Sequence, residues 1–313
     1  MRPRRSCLAV PATQVQFLAK AEQSAADEVF LDLEDSVAPA AKVTARDLVV
    51  NAFKSHGFGG KVRAVRINGC DTEWCYGDII AVIEGAGDRI DCLIVPKVEG
   101  IADVHFVSRL LDQVEAKTGM SRRIGLELQI ESARGLENVG AIAAASPRAE
   151  TLIFGPADLS ASLGVPELSV GRIKPEYPGD YWHYFVARIA VAARANNLQP
   201  IDGPYGLIRD LDGLRTFAER TAMLGYDGKW AVSPGQIATL NNVYTPRQED
   251  FEKALAILDA YRQATESNRT GAVMLGDEMI DEASRKMALV VVERGRLLGM
   301  KPESANTEHV SGG

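Results

Sequence analysis

Two acidic residues and one arginine follow apolar segments of this 313-residue chain, at positions where they could bind a metal ion or an anion. Glu131 comes directly after one apolar run, and Asp158 follows the next run along the chain. Two carboxylates that converge with room for water are the usual protein ligands of Mg²⁺. Arg66 also ends an apolar segment, and neither Glu nor Arg is a preferred helix cap or a residue that is readily buried unpaired. The sequence therefore predicts a site around these three residues, although Asp158 alone could be only a helix N-cap.

Other kinds of chemistry have weaker support in the sequence. The four histidines include no pair in a spacing typical of zinc ligands. The four cysteines lie in unrelated contexts without a CxxC pair, which argues against a disulfide or zinc framework. No nucleophile elbow or P-loop is found in the sequence. Lys97 ends an apolar run and could form an imine, but its neighbour Glu99 favours an ion pair at least as strongly.

Short apolar runs alternate with amphipathic stretches along most of the chain, which predicts alternating strands and helices. About eight such units without a break predict a parallel sheet closed into a (β/α)8 TIM barrel, an α/β fold. An open doubly wound sheet is the competing topology, and the lack of a Gly-rich dinucleotide fingerprint weakens it. The predicted strands are Cys7–Val10, Glu28–Leu33, Val62–Ile67, Asp91–Val95, Ile124–Ile130, Thr151–Phe154, Gln199–Ile201 and Lys229–Val232.

Polar residues end nearly every predicted strand. The carboxyl ends of barrel strands converge on one face, where active sites are built, so we expect these residues to meet there. Glu34 and Asp35 follow the second strand. Asp35 could be only a helix cap, and for Asp202 a turn role is as well supported as a functional one.

The last part of the chain exceeds what a barrel of the usual size requires. We predict a barrel over residues 1–245, a C-terminal helical extension or lid over 246–300, and a disordered tail over 301–313. Within the extension, Arg247–Arg262 and Asp277–Leu298 are predicted helices, with a polar, Gly-containing linker between them.

Composition and charge argue against several function classes. Lys and Arg total 35 against 42 Asp and Glu, a formal charge of −7, and nothing indicates the clustered basic surface of a nucleic-acid-binding protein. No apolar run approaches the roughly 18 residues of a membrane helix. The basic N-terminus has too short an apolar core for a secretory signal. We therefore expect a cytoplasmic protein with reduced thiols and no nucleic-acid or membrane partner.

A series of ordered blocks covers roughly residues 4–298. The blocks are Arg5-Ser6 followed by a strand and Pro11, LDLEDSV at Leu31–Val37, VRIN at Val65–Asn68, PKVE at Pro96–Glu99, IES at Ile130–Ser132, GPADL at Gly155–Leu159, WHY at Trp182–Tyr184, IDGP at Ile201–Pro204, KWAVSPGQI at Lys229–Ile237 and the tail around Met279–Ser284. Together they resemble the HpcH/HpaI aldolase superfamily, in its branch of acyl-CoA lyases with citrate lyase β-subunit folds. The later blocks look most like those of malyl-CoA or β-methylmalyl-CoA lyases.

The resemblance implies a reaction and a set of residues for it. The reaction is the reversible Claisen-type cleavage of a 3-hydroxyacyl-CoA into an acyl-CoA and a small oxoacid such as glyoxylate, with Mg²⁺ or, in its place, Mn²⁺. Glu131 and Asp158 would hold the metal, and Arg66 would bind the oxoacid. Glu34 and Asp35 would shape the site around them.

The resemblance also implies contacts outside this cluster. Arg5 and Lys20 would contact the phosphates of the CoA thioester, and Asp281 in the lid would be the general acid/base. The lid of one subunit would close over the barrel of the next in a homotrimer or homohexamer. On its spacing alone, Asp281 is read as the N-cap of the final helix.

Other functions stay open. A malyl-CoA thioesterase on the same scaffold would direct water at the thioester. A citrate lyase β-subunit would act on an acyl-carrier-protein thioester, and the long tail and the WHY block argue mildly against it. A CoA-independent metal-dependent aldolase would share the barrel without a CoA site. A catalytically silent scaffold has the least support, because the metal and oxoacid positions are intact.

Overall fold

Eight parallel strands close into a barrel in the order of the sequence in the computed structural model, which describes residues 1–166, 177–266 and 270–303. The barrel strands are β1 (Ser6–Pro11), β2 (Glu28–Asp32), β3 (Val62–Arg66), β4 (Cys92–Val95), β5 (Gly125–Ile130), β6 (Ala149–Phe154), β7 (Gln199–Asp202) and β8 (Gly228–Ala231). Because β1 pairs with both β2 and β8, the sheet has no free edge. The predicted (β/α)8 fold is confirmed, and the open doubly wound sheet is wrong.

Helices follow the strands around the barrel and continue beyond it. They are α1 (Leu18–Gln23), α2 (Lys42–Ser55), α3 (Cys75–Ala86), α4 (Ile101–Thr118), α5 (Ala133–Glu137), α6 (Val139–Ala144), α7 (Pro156–Leu163), α8 (His183–Ala195), α9 (Leu211–Met223), α10 (Ile237–Val243), α11 (Gln248–Glu266) and α12 (Glu282–Leu297). None of the helices in the described part of the chain has the length and hydrophobicity of a transmembrane span.

The register of neighbouring strands determines which side chains meet at the carboxyl end of the barrel. Asp32 at the end of β2 and Arg66 at the end of β3 are directly paired across the two strands. The Leu33 N–H donates to the Arg66 carbonyl at 2.9 Å, which continues the ladder past the last strand residue. Because the strands are parallel, the residues that follow them emerge at the same end.

The amino end of the barrel contains a buried ion cluster. The Arg4 guanidinium lies 2.9 Å from Glu28, 2.9 Å from Glu127 and 2.7 Å from Glu150. The side chains of Arg4, Glu28 and Glu127 are fully buried. Through these contacts, Arg4 connects the residues just before β1 to three other strands. Removing one partner from such a cluster would leave an uncompensated buried charge and destabilise the fold.

A second compact unit begins at Thr245, after a first unit that spans Pro3–Tyr244. Within the second unit, an antiparallel hairpin of β9 (Val273–Leu275) and β10 (Glu278–Ile280) precedes α12. Four buried side chains form the core between α11 and α12: Phe251, Ala254, Ala288 and Val292.

The hairpin corrects two predictions. β9 lies in the segment Glu266–Gly276 that the sequence indicates as a linker, and β10 takes the start of the predicted helix Asp277–Leu298. Gly276 has a φ of 60°, which lets the chain turn back between the strands. Residues 267–269 of that linker and residues 304–313 of the predicted tail lie outside the described residues.

Gly228 is the first residue of β8, the strand that closes the barrel by pairing with β1. A Cβ added to Gly228 would lie 1.7 Å from the Arg4 carbonyl oxygen, which is backbone and cannot rotate away. We expect Gly228→Ala to lower the free energy of unfolding by about 3 kcal/mol or more, as severe overpacking does. Urea unfolding monitored by circular dichroism measures this.

The matched control is Gly140→Ala in α6, where an added Cβ meets nothing within 4 Å. That variant should be neutral or slightly stabilising, because alanine is the better helix former. Equal free energies of unfolding for the two variants would contradict the close approach of Gly228 to the Arg4 carbonyl oxygen.

Candidate active site

The Arg66 guanidinium is held in one orientation at the carboxyl end of β3. Its Nε and Nη2 donate to the two carboxylate oxygens of Asp32 at 2.7 and 2.8 Å. Its Cζ lies 5.4 Å from the centroid of the Trp230 ring, within the range of a cation–π contact. Burial raises the pKa of the Asp32 carboxyl, but the Arg66 guanidinium outweighs it and the net shift is downward. Arg66 and Asp32 are therefore an ionised pair.

Glu34 connects this pair to a second cation. Its Oε2 lies 2.8 Å from Arg66 Nη1, and its Oε1 accepts a hydrogen bond from Lys97 Nζ at 2.6 Å. Burial raises the pKa of Glu34 even between these two cations. Asp35 is farther away, 3.7 Å from Arg66 Nη1 and 3.6 Å from Lys97 Nζ, with a side chain that is 55% exposed. Glu34 is thus the bridging carboxylate, and Asp35 lies at the rim.

Glu131 receives one hydrogen bond on each carboxylate oxygen. The Lys97 backbone N–H donates to Oε1 at 2.8 Å, and Gln129 Nε2 donates to Oε2 at 2.7 Å. Lys97 has a φ of 52°, a conformation that is strained for a residue with a Cβ. Burial, together with the nearby charges of Glu34 and Asp158, raises the pKa of Glu131 to about 8. The carboxylate is therefore fixed in place but short of positive charge.

Asp158 lies in the first turn of α7, half-buried and close enough to Glu131 to affect its pKa. It is not the N-cap of α7, a position that Gly155 occupies. Glu131 and Asp158 line two adjoining cavities. The larger, of about 400 Å³, also has Arg66 and Trp230 in its wall, and the smaller, of about 310 Å³, has Lys97. The structure thus brings Glu131, Asp158 and Arg66 to one opening at the carboxyl end of the barrel.

The residues present fit a divalent cation. Glu131 and Asp158 line the same cavity and offer it two carboxylates, while no three His, Cys, Asp or Glu side chains form a metal-ligating group in the described part of the chain. Mg²⁺ is commonly held by one or two carboxylates, with water and substrate completing its shell. A Cβ on Gly155 would lie 2.4 Å from Glu131 Cβ, so glycine lets the start of α7 approach Glu131. The local carboxylates Asp32, Glu34, Asp35, Glu131 and Asp158 outnumber the cations Lys42, Arg66 and Lys97.

Three predicted residues are not part of this cluster. Arg5 precedes β1 at the opposite end of the barrel, where its Nε and Nη2 each lie 2.8 Å from the Asp27 carboxylate. This position does not fit the predicted contact with CoA phosphates, because a residue before a strand emerges away from the site. Lys20 lies exposed in the last turn of α1. Asp281 lies in the second unit as the N-cap of α12, accepting a hydrogen bond from the Ser284 N–H at 3.0 Å.

Sequence reasoning missed Asp32 and Gln129, which orient the cluster, and it named Lys97 for its side chain but missed the role of its backbone N–H. Asp32 lies inside the strand pattern, and its role depends on its pairing with Arg66. Gln129 shares a strand face with Glu131, because residues two apart in a strand point the same way. Lys97 acts through its backbone N–H, which side-chain chemistry does not reveal. The one usable signal was the alternation of Gln129 and Glu131.

Three kinds of similarity connect the chain to known proteins. A family model described as HpcH/HpaI aldolase/citrate lyase matches residues 5–234. An L-malyl-CoA/β-methylmalyl-CoA lyase of Cereibacter sphaeroides is 39% identical over 306 residues, covering 95% of this chain and 96% of the relative. A (3S)-malyl-CoA thioesterase of the same organism is 33% identical over 274 residues, 88% of each chain. A solved structure of CitE from Mycobacterium tuberculosis in complex with magnesium, acetoacetate and coenzyme A has a TM-score of 0.72 and 27% identity, covering 94% of this chain and 98% of that one.

The raised pKa of Glu131 predicts that Glu131→Gln stabilises the metal-free protein at high pH but removes the stabilisation that a bound metal ion provides. The pKa is about 8 in the folded chain, against an ordinary value of 4.5, so between these pH values the folded state holds more protons than the unfolded state. The free energy of unfolding of metal-free protein should therefore fall as pH rises through this window, by at most about 1.4 kcal/mol per pH unit. Glu131→Gln removes this term, so it should stabilise metal-free protein at pH 9 more than at pH 4.

Denaturant unfolding in a chelating buffer at the two pH values measures the difference, and the exposed Glu73→Gln is the control for loss of a surface carboxylate. The same Glu131→Gln protein should lose the stabilisation that added Mn²⁺ gives the unsubstituted protein. A stability difference that does not change with pH would contradict the assignment.

Proposed function

We propose that this chain, which belongs to the HpcH/HpaI aldolase/citrate lyase family, is a Mg²⁺-dependent carbon–carbon lyase that acts on CoA thioesters. The reaction is the reversible Claisen-type cleavage of a 3-hydroxyacyl-CoA of malyl-CoA type into an acyl-CoA and a small oxoacid such as glyoxylate. One observation carries the proposal. A fixed guanidinium and a pair of carboxylates fitted to a divalent cation share a single cavity.

Glu131 and Asp158 are the proposed ligands of the cation. When bound, Mg²⁺ supplies a Lewis acid that polarises the oxoacid carbonyl. The two hydrogen bonds on Glu131 leave it in one orientation, with further lone pairs on both oxygens. The strained backbone of Lys97 contributes to this, because it aims an N–H at the carboxylate.

Arg66 is the proposed binding residue for the oxoacid. Asp32 accepts hydrogen bonds from two of its five N–H groups, one on Nε and one on Nη2, and Nη1 forms an ion pair with Glu34, so both Nη1 and Nη2 keep an N–H for a ligand. Two parallel N–H donors match a carboxylate or a developing oxyanion. Because Asp32 and the Trp230 ring fix the guanidinium plane, these donors do not have to reorganise during the reaction.

Asp281 is the proposed general acid/base, supplied by the C-terminal lid of a neighbouring subunit in a homotrimer or homohexamer. Hydrogen bonds from Ser284 lower the pKa of Asp281, which keeps it in the carboxylate form that can accept a proton from the acyl-CoA α-carbon. Lys20 stays a proposed contact for the CoA phosphates. Arg5 has no place in the proposal, since Asp27 binds it at the other end of the barrel.

A thioesterase on the same scaffold is the second candidate, and the 33% identical malyl-CoA thioesterase favours it. Both reactions need the same anion site and the same cation. They differ in the bond that breaks, since the thioesterase cleaves the thioester with water and the lyase cleaves a C–C bond.

Product analysis separates the two reactions. Incubation with Mg²⁺, acetyl- or propionyl-CoA and glyoxylate should yield a new acyl-CoA whose mass is the sum of the two reactants. A lyase run in reverse on malyl-CoA returns acetyl-CoA and glyoxylate, whereas a thioesterase gives malate and free CoA. Chelation of the metal is the control. Release of free CoA without any acyl-CoA product would assign the thioesterase.

The geometry at Arg66 predicts that a positive charge alone is not enough to bind the oxoacid and support turnover. Arg66→Lys keeps a cation but loses the paired donors, so kcat/KM for the oxoacid should fall by about 100-fold or more, nearly as far as in Arg66→Ala. Steady-state kinetics of condensation at varied glyoxylate measures this. A lysine variant with near-normal kcat and KM would refute the role.

A shared site predicts recovery of activity in mixed oligomers. Asp281→Asn should lower kcat by roughly 10²–10⁴-fold, the range of general acid/base catalysis, while α12 keeps its cap because Asn is also a preferred N-cap. Ser284→Ala, which removes a partner of that cap, is the control for helix stability. Subunits of inactive Asp281→Asn and Arg66→Ala proteins are then exchanged. Activity should return, and confirmed exchange without activity would place the base in the same chain.

A further inference from the structure

Two thiols lie next to each other beside the candidate cation site. Cys70 follows β3 in the loop that leads to α3, and Cys75 is the first residue of that helix. Their sulfur atoms are 3.9 Å apart, and both are free. Cys70 is half-buried and lines the 310 Å³ cavity together with Glu131 and Asp158. Neither thiol has a part in the proposed reaction.

The distance between the sulfur atoms allows a bond after a small movement. A disulfide has an S–S length of about 2.05 Å, so the atoms must approach by roughly 2 Å. Cys75 is only 1% exposed and belongs to a helix, whereas Cys70 lies in a turn outside regular structure. We therefore expect Cys70 and the short turn around it to move, while Cys75 stays in place.

We propose that Cys70 and Cys75 are an oxidative modification site at which a peroxide produces a disulfide, and that the disulfide weakens cation binding in the adjoining cavity. The half-buried Cys70 sulfur attacks a peroxide oxygen, and the O–O bond breaks to give a sulfenic acid and one water. Cys75 sulfur then attacks the Cys70 sulfur, the S–S bond forms, and the hydroxyl leaves with a proton as the second water. The two thiols lose two electrons and two protons, and the peroxide is reduced to water.

The reaction is slow in the absence of excess oxidant. The Cys75 thiol and burial raise the pKa of the Cys70 thiol, so little thiolate is present at neutral pH. The modification thus follows sustained exposure to peroxide and is not a fast sensing event. A thiol reductant reverses it, because a disulfide formed with displacement of a loop is readily reduced.

The expected effect on the cation follows from the contacts around Cys70. Its sulfur lies 4.0 Å from the Asp103 carbonyl oxygen. Asp103 in turn accepts hydrogen bonds from the Glu99 and Gly100 N–H groups at 2.9 and 3.1 Å, which secures the segment after β4. That segment follows Lys97, whose N–H orients Glu131. Turning Cys70 toward Cys75 removes a contact from this wall of the cavity, so we expect weaker binding at Glu131.

The test of the bond uses the full-length protein and its Cys70→Ser and Cys75→Ser variants. Each is treated with excess hydrogen peroxide, denatured, alkylated and weighed by intact mass spectrometry. The unsubstituted protein should lose two of its four alkylatable thiols and recover both with dithiothreitol. Peptide mapping should link residues 70 and 75. Retention of all four thiols, or oxidation of Cys70 to a sulfinic acid without a link, would overturn the proposal.

The test of the consequence measures Mn²⁺ alone, by calorimetric titration of reduced and oxidised protein. The dissociation constant should rise at least about threefold on oxidation of the unsubstituted protein and return with dithiothreitol. Cys75→Ser cannot form the bond, so the ratio of its own oxidised and reduced values should stay near one. A bond without a change in Mn²⁺ affinity would overturn the functional half of the proposal.

The inference rests on the proposed function only through the identity of the cation site. If the bond forms and Mn²⁺ affinity falls but the reduced protein cleaves no acyl-CoA, the proposed function fails and this inference stands. If the reduced protein is an active lyase and no bond forms, the proposed function stands and this inference fails.

Discussion

The ion pair between Arg66 and Asp32 is the interaction on which the rest of the site depends. Two parallel hydrogen bonds between neighbouring strand ends prevent the guanidinium from rotating, so its remaining donors face the cavity. Glu34 contacts the same guanidinium, Lys97 contacts Glu34, and the Lys97 N–H orients Glu131. The anion-binding and cation-binding parts are therefore one connected network. Contacts through Arg66, Glu34 and Lys97 thus connect Asp32 to Glu131.

This network holds more negative charge than its own cations neutralise. Burial raises the pKa of both Glu34 and Glu131, and Lys97 keeps a strained backbone in order to orient Glu131. Each of these features destabilises the fold when no ligand is bound. They become favourable once a divalent cation and an anionic substrate share the site. Functional sites in proteins commonly lower the stability of the ligand-free fold. Rigid strand ends hold such residues in the geometry that binding requires.

The amino end of the barrel shows that buried charge alone does not identify a reactive site. There Arg4 binds Glu28 and Glu127, and the side chains of all three residues are fully buried. At the carboxyl end, by contrast, Glu131 opens onto a cavity of about 400 Å³. One strand serves both ends, because β5 carries Glu127 and Gln129 and is followed directly by Glu131, at alternate positions that share one face. The difference between a structural and a chemical carboxylate is therefore access to a ligand.

The sequence by itself determined the eight barrel strands and the polar residues near their ends, because a buried barrel strand is an apolar run and a polar residue marks where it stops; it did not reveal the hairpin of β9 and β10. Glu131, Asp158 and Arg66 could be found in this way. Only the tertiary structure decided which side chains meet, because contact between Asp32 and Arg66 depends on the register of strands whose paired residues are 34 positions apart. Arg5 is a different case, because its place before the first strand already puts it at the amino end of the barrel, where Asp27 binds it. A local run of apolar residues is enough to predict a strand, whereas the contacts within the site depend on the register between strands that are far apart in the sequence.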